Sequence, residues 1–328
     1  MYIEEAYKGK YDFWRYILGW VLIFIGWQLL GMIPLMVAII LKVDNLADLP
    51  KDITEMSDLL GSNTFLFLML IAFAIALVAT FITSRLIHGQ RIVSLTTSRE
   101  KIDWKRIGYS FGIWSGVSIA LTLLDVFLSP EDYVLNFELM PFMILTAIAV
   151  TLIPFQTSFE EYFLRGYSMQ GIGILAKNRW VPLLVTSVVF GLLHLANPEV
   201  EKLGYGIMIY YIGTGLFLGI LTLMDDGLEL ALGFHAANNL TGALLLTSDW
   251  SAFQTHSIYK DISEPVLGWD VMVPVLVIYP ILLFIFAKKY GWHDWKDKLT
   301  GKLIPPITEE SVSEETILPQ NNDADDLP

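Results

Sequence analysis

The chain has 328 residues, 54% of them hydrophobic, and a mean hydropathy of +0.54, which sets it apart from ordinary soluble domains. Its apolar runs are continuous rather than alternating, which argues against a membrane β-barrel, and with no cysteine it has neither disulfides, thiolate metal sites nor a cysteine nucleophile. The net charge of −13 includes no basic block of the kind that binds nucleic acid.

A span takes about 20 helical residues, so the fold class is an all-α polytopic membrane protein. Eight transmembrane helices are expected, at about 13–43, 63–87, 107–128, 139–164, 180–197, 204–224, 228–247 and 268–288. The first run is too long for the apolar core of a cleaved signal and reads as a retained helix. Residues 45–63 are polar and turn-rich, with room for a short surface helix. The 85–106 loop supplies Arg85, Arg91, Arg99, Lys101, Lys105 and Arg106 and mixes Trp104 among its bases, which suits the lipid headgroup zone. The 129–138 loop supplies no base. With the N-terminus in the cytoplasm, 17 of the 21 basic residues fall on inner segments and only Lys42, Lys51, Lys202 and Lys260 on outer ones. Both termini are therefore expected inside. In the sixth span Gly215 and Gly219 sit at i, i+4, a spacing that lets helices approach closely. After Lys302 the chain carries Glu309, Glu310, Glu314, Glu315, Asp323, Asp325 and Asp326, no base, and Pro305, Pro306, Pro319 and Pro328. That tail buries too little apolar surface to fold and reads as a solvated end.

The polar residues inside the apolar runs carry the chemistry. "EEYFLR" (160–165) sets Glu160 and Glu161 in a span, where a charge costs roughly 2.5–3.5 kcal/mol. Glu161 precedes Arg165 by four residues and pairs with it on one helix face. Glu160, rotated by roughly 100°, has no local partner. Desolvation of such a carboxylate favours proton transfer, so Glu160 is the candidate base and Glu161 the residue oriented by Arg165. Of five histidines, His88, His256 and His293 read as surface residues. His194, in "FGLLH" (190–194), follows Gly191, which leaves room for a neighbour near the imidazole. His235, in "HAANN" (235–239), forms a polar stripe with Asn238 and Asn239. Each alone has a bland reading: interface snorkelling for the glutamates, inter-helix hydrogen bonds for the others. Together they argue for one polar cavity. There a carboxylate with one or two imidazoles deprotonates a water, while an Asn amide and a second His donate to an oxyanion. The same atoms would equally hold zinc with an open water position. No HExxH or GxSxG motif is present. A transporter would show paired repeats and polar residues spread along several spans; neither is found.

These motifs, Glu-Glu-x-x-x-Arg, Phe-x-x-x-His and His-x-x-x-Asn in that order, resemble those of the CPBP (CAAX protease and bacteriocin-processing, or Abi) family of intramembrane proteases, related to the CAAX prenyl endopeptidases. The resemblance covers about residues 140–250. It implies a helical bundle with a conical catalytic cavity open toward the cytoplasm, and an intramembrane endopeptidase acting on a membrane-associated peptide or protein. Glu160 and His194 would activate water, His235 and Asn239 would stabilise the oxyanion, and Glu161 and Arg165 would support them. Zinc on Glu160, His194 and His235, as in a metalloprotease, and a metal-free glutamate mechanism both stay open. The alternative is a non-catalytic scaffold or peptide-binding protein using the same cavity. The expected organisation is N-terminal membrane helices with the basic loop (1–138), a CPBP-like catalytic core (139–250), an outer loop with the last span (251–298) and the acidic tail (299–328). The expected location is a bacterial cytoplasmic membrane, with lipid and the peptide substrate as partners. One tension remains between motif and span. On these boundaries Glu160 lies near the cytoplasmic end of its helix and His194 near the outer end of the next. They meet only if a boundary moves, or if the 167–180 chain dips or forms an interfacial helix.

Overall fold

The computed structural model describes residues 1–306. The acidic residues from Glu309 onward lie outside the described residues. Among the described residues eight longer helices build the bundle: α1 (Phe13–Ile40), α2 (Ser62–His88), α3 (Trp104–Leu128), α4 (Leu139–Ala176), α5 (Trp180–Leu192), α6 (Tyr205–Met224), α7 (Glu229–Leu245) and α8 (Val271–Tyr290). By length and composition six of them suffice to cross a membrane, not the eight expected. The two that fall short are α5, with 13 residues, and α7, with 17. They carry His194's approach and the His235–Asn239 stripe. Every residue of α7 from Glu229 to His235 is buried, so that stretch is solvated by protein rather than lipid. Helix α5 ends at Leu192 and the chain turns through 193–197, an irregular stretch tolerated because it lines a cavity.

The largest departure from the expected spans is α4. It does not stop near 164 but continues, through a π-helical segment at Tyr162–Ser168, to Ala176, 38 residues in all. Pro154 lies inside it without ending it, and Pro182 falls in the first turn of α5, where proline breaks nothing. Lys177, in the left-handed conformation, closes α4. Glu160 and His194 are thus about 16 and about 14 residues from the α4–α5 turn, roughly 24 and 21 Å along their helices at 1.5 Å per residue. The depth conflict disappears because the 167–180 chain is mostly helix, continuous with α4.

The two ends of the bundle differ in chemistry. At the basic end Arg179 bonds Asp297 (2.9 Å) and Glu4 (3.2 Å), joining the α4–α5 turn to both ends of the described chain. Arg99 bonds Asp225 and Glu229, each at 3.1 Å, and Arg106 bonds Asp225 as well. Arg99 and Arg106 therefore turn inward onto the α6–α7 turn, while Trp104 stays exposed. His88 is not a surface residue. It is buried, with Nδ1 2.7 Å from the Lys10 carbonyl and Nε2 2.7 Å from the Tyr167 hydroxyl, because the N-terminal segment folds over the end of α2. At the opposite end lie the short surface helix Ile53–Leu60 and a small sheet in the order β1 (Tyr133–Leu135), β3 (Tyr259–Asp261), β2 (Leu246–Ser248).

The α5–α6 contact is close, as the two glycines foretell. A Cβ on Gly215 would stand 2.7 Å from the Ser187 carbonyl oxygen, and one on Gly219 would stand 2.5 Å from Leu183. The space beside Gly191 is taken by Ile212 of the same neighbour.

Burial pushes the Asp225 carboxyl up to about 6, against the pull of Arg99 and Arg106. The folded chain thus holds this proton more tightly than an unfolded one. The stability that Asp225 contributes is present in full below its ordinary carboxylate range, about pH 4, and is lost as pH rises through about 6. Thermal melts in detergent across this window should show a loss on the order of a few kcal/mol in the wild type that Asp225→Asn lacks. Identical pH dependence of the two proteins would refute it.

Candidate active site

Helix α4 supplies the acids. Glu161 and Arg165 are completely buried, with Arg165 Nη1 donating to Glu161 Oε1 at 2.9 Å. Arg165 Nη2 donates to the Gly215 carbonyl at 3.0 Å, and the guanidinium lies 4.5 Å over the Phe190 ring. The pairing expected from the i, i+4 spacing is present, and it also ties α4 to α5 and α6.

The expectation that Glu160 stands unpartnered does not hold. Gln156, one turn earlier on α4, donates through Nε2 to Glu160 Oε1. The His235 ring reaches between the two glutamates: Nδ1 is 2.8 Å from Glu161 Oε1 and Nε2 is 3.5 Å from Glu160 Oε2. The second distance is too long for a hydrogen bond. Glu160 Oε2 is buried and has no hydrogen-bond partner among the described residues. The 100° rotation between the glutamates thus puts them on either side of one imidazole.

His194 Nδ1 lies 2.8 Å from the Phe190 carbonyl. A carbonyl only accepts, so Nδ1 carries the proton and Nε2 keeps its lone pair in the neutral ring. The ring stacks on Tyr211, centroids 4.4 Å apart. Asn239 donates to Gln156 Oε1 at 3.0 Å, which leaves it one further N–H.

Glu160, His194, His235, Asn238 and Asn239 all line one cavity of about 310 Å³, while Glu161 and Arg165 lie behind its wall. Its other walls are largely apolar and include Trp27 of α1 and Phe73 of α2, from outside the expected core. Beyond the site it reaches Ile53, Asn197, Glu199, Ala252 and Phe253, at the end without the basic cluster. The expected opening toward the cytoplasm is therefore not found if the basic end is the cytoplasmic one; the cavity extends the other way. Gln156 and Glu199 were missed in the sequence. Gln156 was within reach, being at i−4 from Glu160 and so on its face. Glu199 was not, because the fold of the 193–204 chain brings it in.

A carboxylate and two imidazoles suit zinc chemically. As positioned, however, Glu160, His194 and His235 form no metal-holding group, and no set of three such side chains occurs among the described residues.

Removing one partner of a buried ion pair strands the other. Glu161→Gln should cost about 3–5 kcal/mol in detergent unfolding, with part recovered in the Glu161→Gln/Arg165→Met double variant. A loss below about 1 kcal/mol, typical of an exposed pair, would show that the pair does not brace the site.

Residues 137–241 match the family model described as type II CAAX prenyl endopeptidase Rce1-like. The chain is 31% identical over 294 residues to a protein of Bacillus subtilis (strain 168) described as uncharacterized protein YyaK, covering 89% of this chain and 95% of that one. No solved structure gives a significant match. The matched region holds both glutamates, Arg165, both cavity histidines and the asparagine pair, and the chain belongs to the CPBP family of intramembrane CAAX-type proteases.

Proposed function

We propose that the protein is an endopeptidase that hydrolyses a peptide bond in a membrane-associated peptide or protein by glutamate- and histidine-activated water. The observation that carries this reading is the convergence of Glu160, His194, His235 and Asn239 on one cavity. In the reaction, the open oxygen Oε2 of Glu160 takes a proton from water, and the lone pair on His194 Nε2 holds that water by its second hydrogen. The water oxygen attacks the scissile carbonyl carbon. The developing oxyanion accepts from the free N–H of Asn239 and from His235 Nε2. For Nε2 to donate, His235 must carry both protons, and Glu161 Oε1 anchors that form at Nδ1. The proton on Glu160 then passes to the departing amine nitrogen as the C–N bond breaks.

The substrate segment lies in the cavity between the site and the Ile53–Phe253 end, against largely apolar walls. With the basic end cytoplasmic, it is drawn from the outer half of the membrane.

The test is cleavage of membrane-associated peptides by the purified protein in detergent or vesicles. Glu160→Gln and His194→Ala are each expected to lower kcat by about 10²–10⁴-fold while melting like the wild type. Wild-type turnover in both would end the proposal. Peptide binding without product in the wild type would favour the scaffold alternative. Turnover should persist after chelation in a preparation shown by metal analysis to be metal-free; loss restored by zinc would replace this mechanism with a metal one.

A further inference from the structure

One hydrogen-bonded chain runs from Trp114, outside the cavity, through Asn238, Asn239 and Gln156 to Glu160. Trp114 Nε1, on α3, donates to Asn238 Oδ1 at 3.0 Å. Asn238 Nδ2 donates to Asn239 Oδ1 at 3.1 Å, and Asn239 Nδ2 donates to Gln156 Oε1 at 3.0 Å. Gln156 Nε2 then donates to Glu160 Oε1. Three primary amides in a row would hydrogen-bond equally well in either direction, because each has one accepting and one donating end. An indole N–H only donates. Trp114 therefore forces the Asn238 oxygen toward itself, and each later amide must follow. The reverse order would set an amide N–H against the indole N–H.

We infer that Trp114 and Gln156 are positioning residues: Trp114 fixes the polarity of the Asn238–Asn239–Gln156 amide chain, so that an N–H is always delivered to Glu160 Oε1. The last N–H needs an acceptor, and an ionised carboxylate offers acceptors only. Oε1 is thus occupied, Glu160 cannot swing freely, and Oε2 is the oxygen left for water and His235. The same polarity fixes Asn239 with its amide nitrogen toward the reaction space rather than its oxygen. Trp114 acts from outside the cavity; it is buried between α3 and the core, its ring 4.5 Å from that of Phe234. Gln156 is buried as well.

The chemical consequence rests on Glu160 being the base; the orientation of the chain does not. The experiment separates the two by using infrared spectra and kinetics on the full-length protein in detergent. The Glu160 carboxylate stretch is first found as the band missing in Glu160→Gln. Gln156→Met, which keeps shape and removes the donor, is expected to shift that band. Trp114→Phe, which keeps an aromatic ring against Phe234, is expected to shift it the same way although Trp114 lines no part of the cavity. Asn238→Asp, which interrupts the chain one link further on, is read in the same way and serves if Trp114→Phe does not fold. In peptide cleavage, Trp114→Phe should lower kcat about tenfold, the equivalent of one lost hydrogen bond, with KM unchanged. Trp114→Phe/Gln156→Met should be no slower than Gln156→Met alone, since the two act through one chain. Folded Trp114→Phe and Asn238→Asp proteins with an unmoved Glu160 band would overturn the inference, as would strictly additive losses in kcat. A shifted band in a protein with no peptidase activity would uphold the chain and remove the endopeptidase reading instead.

Discussion

The site depends on one buried ion pair. Two charges taken from water into a membrane bundle are costly, and their attraction repays that cost only if further hydrogen bonds complete the arrangement. Here partial completion comes from three other elements, while Glu161 Oε2 and Arg165 Nε are buried without a hydrogen-bond partner among the described residues. The Gly215 carbonyl of α6 and the Phe190 face of α5 serve Arg165, and His235 of α7 serves Glu161. Four helices are thereby fixed at one point. The approach of α6 depends on Gly215 having no side chain, since a Cβ there would collide with Ser187. The pair thus acts as structure first: it sets the distance between α4 and α7 and, through His235, the environment of Glu160.

From that point the division of labour between the two glutamates follows. They are adjacent in sequence and separated by about 100° around the helix. One faces inward to Arg165 and is completely buried; the other faces the cavity, and each keeps one oxygen without a hydrogen-bond partner among the described residues. His235 touches both and links the buried acid to the one that faces the cavity. The π-helical turn that begins at Tyr162 immediately follows the pair and carries Arg165, a placement typical of π segments, which gather at functional sites.

Much of this was legible in the sequence, and the failures have physical causes. The Glu161–Arg165 contact needs only helix periodicity, so spacing predicted it. The shared cavity followed from ionisable residues on three apolar segments. Span ends were misjudged because hydropathy averages over residues and cannot see that "YFLRGYSMQG" continues the helix; its polar members Arg165, Ser168 and Gln170 are buried against protein rather than exposed at an interface. His88 was misread for the converse reason. It lies beside a basic loop, and only the fold of the N-terminal segment covers it. The partner of Glu160 was missed because Gln156 carries no charge to draw attention. Trp114 is a long-range partner that no local pattern indicates.

The cavity is assembled from two sources, and the distinction bears on what the protein can select. Its polar groups Glu160, His194, His235 and Asn239 all come from the matched stretch 137–241. Its walls are shared: Phe159, Phe163, Phe190, Tyr210, Tyr211 and Phe234 lie in that stretch, whereas Trp27, Met69 and Phe73 come from α1 and α2, and Ile53, Ala252 and Phe253 from the segments at the end without the basic cluster. A peptide lying against these walls meets apolar and aromatic surface, with Glu199 as the added carboxyl. That acid takes the Ala252 N–H on one oxygen at 2.8 Å, and its other oxygen is buried without a hydrogen-bond partner among the described residues. The family match therefore covers the polar groups and part of the walls, and α1, α2 and the 252–253 segment complete the cavity from outside it. The α1–α2 pair belongs to the working cavity as much as α4 and α7 do.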